Sequence, residues 1–307
     1  MGRDWSVATA AATWPGRYGH ASVVYDGKMW VVGAGPTSAY PFVANDVWYS
    51  SDGVRWTSAT MAAQWPPRTA HAAVVFANKI WVMGGDSGVL DPRHRNDVWY
   101  SSDGRTWTSA TLSAPWPARA GHTSVVFGGK MWVLGGGSPE SGLKNDVWYS
   151  ADGVHWTSAT LSAKWSPRAV HTSVVHDGKM WVIGGYVSKS DVWYSSDGVN
   201  WTSATLSAPW GPRARHTSVV CDGKIWVIAG DAGQAGLVND AWYSSDGVTW
   251  AEATGSAPWT GRDGATSVVF NQRIYLLGGY ADYIPLFRND VWYSEGTISR
   301  ARAWWRY

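Results

Sequence analysis

Cysteine occurs once, phenylalanine only five times, and charged side chains make up just 16% of the 307 residues. The lone Cys221 excludes an internal disulfide framework and a cysteine-based zinc site. With 25 Lys+Arg against 23 Asp+Glu the formal charge is +2, too weak a bias to suggest a nucleic acid or an anionic membrane as partner. No run approaches the roughly 18 apolar residues of a membrane span, and the N-terminus has neither a basic region ahead of an apolar core nor a cleavage site. A soluble chain is expected. Gly2 and Ser6 fit a myristoylation pattern, but Trp5 belongs to a strand by its register (below), and Asn200-Trp201-Thr202 is a formal glycosylation sequon. No cofactor motif and no metal-ligand set is legible.

Tryptophan, by contrast, occurs 25 times and glycine 35 times. A W-x-x-R spacing recurs at Trp14/Arg17, Trp65/Arg68, Trp116/Arg119, Trp165/Arg168, Trp210/Arg213 and Trp259/Arg262, with steps of 51, 51, 49, 45 and 49 residues between the arginines. A catalytic constellation is built once from unlike residues, whereas six copies at near-constant period make an architectural unit too short to fold alone. The whole chain, 1–307, is therefore read as one domain of six repeats of about 50 residues, with 297–307 left as a tail.

Within the second unit, HAAVVF (71–76), the turn Ala77-Asn78 and KIWVMGG (79–85) form a hairpin; DVWYSS (97–102), the turn Asp103-Gly104 and a run around Trp107 form another. Asp-Gly and Gly-Gly pairs at equivalent turns of other units supply the positive φ that tight hairpins need. No segment keeps a 3.6-residue apolar period. Six four-stranded antiparallel meanders bury both faces and protect their edges when packed radially, which predicts an all-β, six-bladed propeller. Repeat positions account for 23 of the 25 tryptophans, leaving Trp304 and Trp305 over, so the rings are read as filler between sheets. Cys221 takes the place held elsewhere by Tyr25, Phe76, Phe127, His176 and Phe270 and is read as an apolar filler. Trp5 stands twelve residues before Arg17, as Trp56 does before Arg68, so residues 4–9 are expected to complete the last blade beside 290–294.

RAGHTSVVFGGKMWVLGG (119–136) followed by NDVWYSSDG-type segments resembles the Kelch repeat over almost the whole chain. The resemblance implies a propeller that serves as a protein-binding module, as part of an enzyme, or as a lectin-like domain. SSDGVTW (244–250) is similar to a shortened Asp-box of six-bladed sialidases, a structural turn in that family. In Kelch-like blades the Arg and His of R-x-x-H lie at the mouth of the axial channel. The repeated His20, His71, His122, His171 and His216 are too far apart, roughly 10 Å between blades, for a shared metal, and are expected to bond to neighbouring backbone. The six arginines are expected to ring the mouth, with Asp46, Asp97, Asp146, Asp191, Asp240 and Asp290 as available partners. Arg17 and Arg262, beside the most divergent loops, are expected to be the freest, and any unpaired arginine would draw an anion.

Where copies differ, recognition is expected. The loops between second and third strands vary most, and blades six and one depart furthest: Asp263 follows Arg262, Tyr280, Asp282 and Tyr283 line the next loop, and Tyr18 and Tyr40 stand across the seam. The reading is a ligand- or protein-binding scaffold taking an acidic small molecule, glycan or peptide at an Arg-ringed mouth. A glycan-active enzyme of sialidase-like or sugar-isomerase type using the Arg/Asp/Tyr cluster, and a recently amplified or engineered scaffold without an evolved ligand, are the alternatives.

Overall fold

In a computed structural model of the chain, residues 2–35, 43–88, 93–186 and 189–294 are described. Tyr40, the tail 297–307 and parts of three varied loops lie outside them. Six four-stranded antiparallel sheets form, as expected. In the second blade the strands run from innermost to outermost as Ala72–Phe76, Lys79–Asp86, His94–Ser101 and Thr108–Thr111. Among the described residues the helical content is a single 3-10 turn, Gly233–Ala235.

The ends of the ring meet as the register predicts. Trp5–Thr9 is the outer strand of the sixth blade, with Trp5 opposite Ser294, Ser6 opposite Tyr293 and Val7 opposite Trp292, then a bulge before Thr9. The turn before it is shared too. Gly2 has φ +75 and a Cβ there would lie 2.1 Å from the Trp226 ring; Gly104 at φ +71 stands in the same relation to Trp30. A side chain would collide with an indole at either place, which is why the hairpin turn keeps glycine. The indole nitrogen of Trp5 donates to the Gly2 carbonyl at 3.0 Å, just as that of Trp107 donates to Gly104.

The cores lie between blades. One cluster joins Val74, Trp81 and Met83 of the second blade to Met131, Val133 and Trp156 of the third. Each linker tryptophan is buried and meets an outer-strand tryptophan edge to face: Trp116 and Trp156 have ring centroids 6.0 Å apart at 86°, Trp259 and Trp5 5.9 Å at 85°. The filler reading holds for these rings. Cys221 is buried in one of the same clusters, and burial pushes its thiol pKa up.

Candidate functional site

Each linker arginine reaches back into its own blade. Arg119 donates through both terminal nitrogens to Asp146, at 2.7 and 2.8 Å, and also to the Gly135 and Pro117 carbonyls at 2.7 and 3.0 Å. Arg17–Asp46, Arg68–Asp97, Arg168–Asp191, Arg213–Asp240 and Arg262–Asp290 repeat the two-pronged pair. The guanidiniums sit over their own linker tryptophans, 5.5–5.9 Å from the ring centroids, for example Arg17 over Trp14 and Arg262 over Trp259. Burial alone would raise the carboxyl pKa values, but the Arg hydrogen bond and charge outweigh it and hold Asp97, Asp146, Asp191 and Asp290 below the usual carboxylate value.

This arrangement corrects the expected arginine ring. Arg17 and Arg262, expected to be the freest, are each 0% exposed and fully paired, as are Arg68, Arg119 and Arg168; Arg213 is buried as well. A fork-shaped cation with this many acceptors is spent on the scaffold, so it leaves no field for an anion funnel.

What closes the axial mouth is backbone. The residue two after each arginine has positive φ, and its N–H donates to the carbonyl of its counterpart in the preceding blade: Ala70 to Gly19, Gly121 to Ala70, Val170 to Gly121, Arg215 to Val170, Gly264 to Arg215 and Gly19 to Gly264, at 2.7–2.9 Å. This closed annulus holds Val170 and Arg215 at φ +50 and +51, where side-chained residues are normally strained.

The histidines line the channel immediately behind it, in cavities of about 280 and 250 Å³. Backbone of the preceding blade acts on three of them as expected, Val32 on His71, Met83 on His122 and Leu134 on His171, and a hydroxyl of the preceding blade meets three: Thr123 with His171 at 3.1 Å, Thr172 with His216 at 2.8 Å, and Thr266 with His20 at 2.8 Å. Ala21 and Ala72 occupy that place before His71 and His122, so neither of these rings meets a hydroxyl there. Burial first, then the neighbouring arginines, lowers the pKa of His71, His122 and His216 to about 3 and holds those of His20 and His171 well below the usual value, so these rings are neutral. Among the described residues no group of His, Cys, Asp or Glu is arranged to hold a metal.

The seam of blades five, six and one is different. A cavity of about 200 Å³ is lined by Tyr18, Arg215, Asp263, Tyr280 and Phe287. Tyr18 stacks on Phe287 at 5.7 Å and 28°, and Tyr280 closes the group at 6.2 Å from Tyr18 and 5.8 Å from Phe287. Asp263 is pinned by a two-way backbone pairing with Tyr280, at 3.0 and 2.8 Å. It is buried, and its Oδ1 has no hydrogen-bond partner among the described residues; Oδ2 faces a terminal nitrogen of Arg215 at 3.5 Å, with that side chain 42% exposed. Burial pushes the Asp263 pKa up to about 6; Arg215 opposes this, and Asp231 and Asp282 add to it. Tyr18 is raised too, by burial first.

Of the sequence-predicted seam residues, the structure thus brings together Tyr18, Asp263 and Tyr280. Asp282 stands near enough to act on Asp263 through its charge, while Tyr283 points to solvent. Sequence reasoning missed Arg215 and Phe287. The signal for Arg215 was available: the third position of R-x-x-H and its sixth, histidine-less copy reads Gly19, Ala70, Gly121, Val170, Arg215 and Gly264, with one charge among small or apolar residues.

Comparison with known proteins agrees with this architecture. The KLHDC2/KLHL20/DRC7 Kelch-repeats domain matches over residues 19–203 and 121–302, so the chain belongs to the Kelch-repeat family. It is 33% identical over 144 residues, 43% of its length, to the dynein alpha chain of the flagellar outer arm of Chlamydomonas reinhardtii, covering 3% of that protein. It is 30% identical over 146 residues (45% of its length) to Adagio-like protein 1 of Oryza sativa subsp. japonica, covering 22%, and 29% identical over 145 (40%) to host cell factor of Drosophila melanogaster, covering 9%. The chain thus spans less than a quarter of each of these relatives.

Proposed function

We propose that this propeller is a protein-binding module that recognises its partner with the varied-loop face, centred on the seam of blades six and one. The observation that carries the reading is the contrast between one scaffold and unlike loops. All six Arg–Asp pairs repeat, whereas the loop of blade six exposes Tyr283 and Ile284, the latter 91% exposed, and its flanking Tyr280 and Phe287 help line a pocket of three aromatic rings, a carboxylate and a guanidinium. Exposed apolar side chains next to well-placed polar groups are the makings of a recognition surface on a rigid support. Matches to repeats inside much longer proteins also fit a propeller used as a module.

A photo-reactive amino acid placed at Tyr283, and in a second variant at Arg105 in a hairpin turn of the opposite face, tests the assignment in cells of the source organism. Partner adducts from position 283 and none from 105 are expected. Adducts chiefly from 105 would overturn the choice of face, and turnover of a panel of aryl glycosides by the purified protein would favour the glycan-active alternative.

A further inference from the structure

We infer that the seam pocket is a receptor for a guanidinium group, the tip of an arginine side chain on a partner segment, which takes the place of Arg215 over Asp263. Asp263 has a buried carboxylate oxygen with no hydrogen-bond partner among the described residues, and its side chain lines a cavity of about 200 Å³, room enough for one side-chain tip. A buried acceptor left unsatisfied is costly, so an N–H donor brought to Oδ1 is strongly favoured. The charges choose the donor's sign. Asp231 and Asp282 add their negative charge to that of Asp263 and Arg215 opposes them, which favours a second cation over an anion. The rings of Tyr18, Tyr280 and Phe287 suit a flat, weakly hydrated cation better than a compact ammonium.

Arg215 is poised to yield the place. Its nitrogen is 3.5 Å from Asp263, against 2.6–2.9 Å in the two-pronged scaffold pairs, and the side chain, 42% exposed, also borders the axial mouth cavity into which it can turn. It resembles a tethered occupant more than a structural partner. The inference rests on the seam belonging to the recognition face, but its test uses a small cation and the purified protein, so it fails or stands separately from the search for a partner.

Ethylguanidinium and its neutral isostere N-ethylurea are titrated by amide chemical shift into the parent, Arg215→Ala and Asp263→Asn. Ala70 occupies the equivalent place at nearly the same φ, and Arg215→Gly, matching Gly19, serves if the alanine variant is poorly folded. Loss of the tethered guanidinium should tighten ethylguanidinium binding about tenfold, the asparagine variant should lose it, and N-ethylurea should not bind. Binding should also weaken about tenfold between roughly pH 7.5 and pH 5 as Asp263 takes up its proton, with Tyr18, Tyr280, Asp86, Asp231, Asp282 and Arg215 as the other titratable or charged groups facing the site. Weaker or absent guanidinium binding in both Arg215 variants would overturn the inference by making Arg215 a ligand-binding donor, as for a sugar or an anion. Equal binding of N-ethylurea, unchanged binding in Asp263→Asn, or a clear preference for ethylammonium would overturn it as well.

Discussion

Two arginine–aspartate arrangements in the protein stand in contrast. Arg119 and Asp146, with their five counterparts, are buried, two-pronged and supplied with further carbonyl acceptors. Arg215 and Asp263 face each other at 3.5 Å, one half out in solvent and the other buried with an oxygen that has no hydrogen-bond partner among the described residues. The same two residue types therefore carry opposite pKa consequences: Asp146 is held low by its partner, and Asp263 is pushed up to about 6 by burial its partner does not offset. Repetition marks pairs that tie a blade together, and the loosely held, unrepeated Arg215–Asp263 pair marks a place able to meet something else.

The largest effect should come from breaking a repeated pair. Arg119→Met strands a buried Asp146 and should lower unfolding free energy by about 3–5 kcal/mol, whereas Arg215→Ala, which leaves a carboxyl already easily protonated, should cost less than about 1 kcal/mol. Denaturant titration of the two variants checks the contrast; equal losses would erase it.

Acid should separate the regions next. His71, His122 and His216 have folded pKa values near 3, below the unfolded 6.5, so between those values the unfolded chain binds more protons and stability falls as pH drops. From pH 7 to about pH 5 each should forfeit about 2 kcal/mol. Asp263 works in the opposite sense, because its pKa is raised on folding: the folded chain binds the extra proton between about pH 6 and pH 4, and its contribution grows as pH falls. A stability profile flat from pH 7 to 5 would contradict the buried neutral histidines.

A finer change sharpens the account of the channel. Ala72→Thr supplies His122 with the hydroxyl that Thr123 already gives His171 and should add about 1 kcal/mol, while Thr123→Ala should remove about as much. Melting of both variants in the neutral range reads the two signs.

The fold was legible because six copies speak for one another. Asp-Gly turns, tryptophans at equivalent places and the twelve-residue interval from Trp5 to Arg17 each give the same answer, and ring closure followed from counting. The site was legible only in part. Tyr18, Asp263 and Tyr280 stand out as departures from the repeat, whereas the periodicity of the arginines, matched by equally periodic aspartates, is the mark of scaffold and not of a mouth. Arg215 lies between the repeated Arg213 and His216, at a place the repeat leaves variable, so periodicity does not single it out. The coupling of Thr172 to His216 joins neighbouring blades, a distance that a single unit's sequence does not display.

The central claim, that unrepeated Asp263 is chemically distinct from the six scaffold aspartates, is tested most directly by following aspartate side-chain carboxyl carbon resonances through a pH titration. Asp263 should titrate near pH 6, with Asp97, Asp146, Asp191 and Asp290 all below the ordinary aspartate value of 3.8. Titration of Asp263 together with the scaffold aspartates would show that Arg215 satisfies it as fully as Arg119 satisfies Asp146, and would contradict the account.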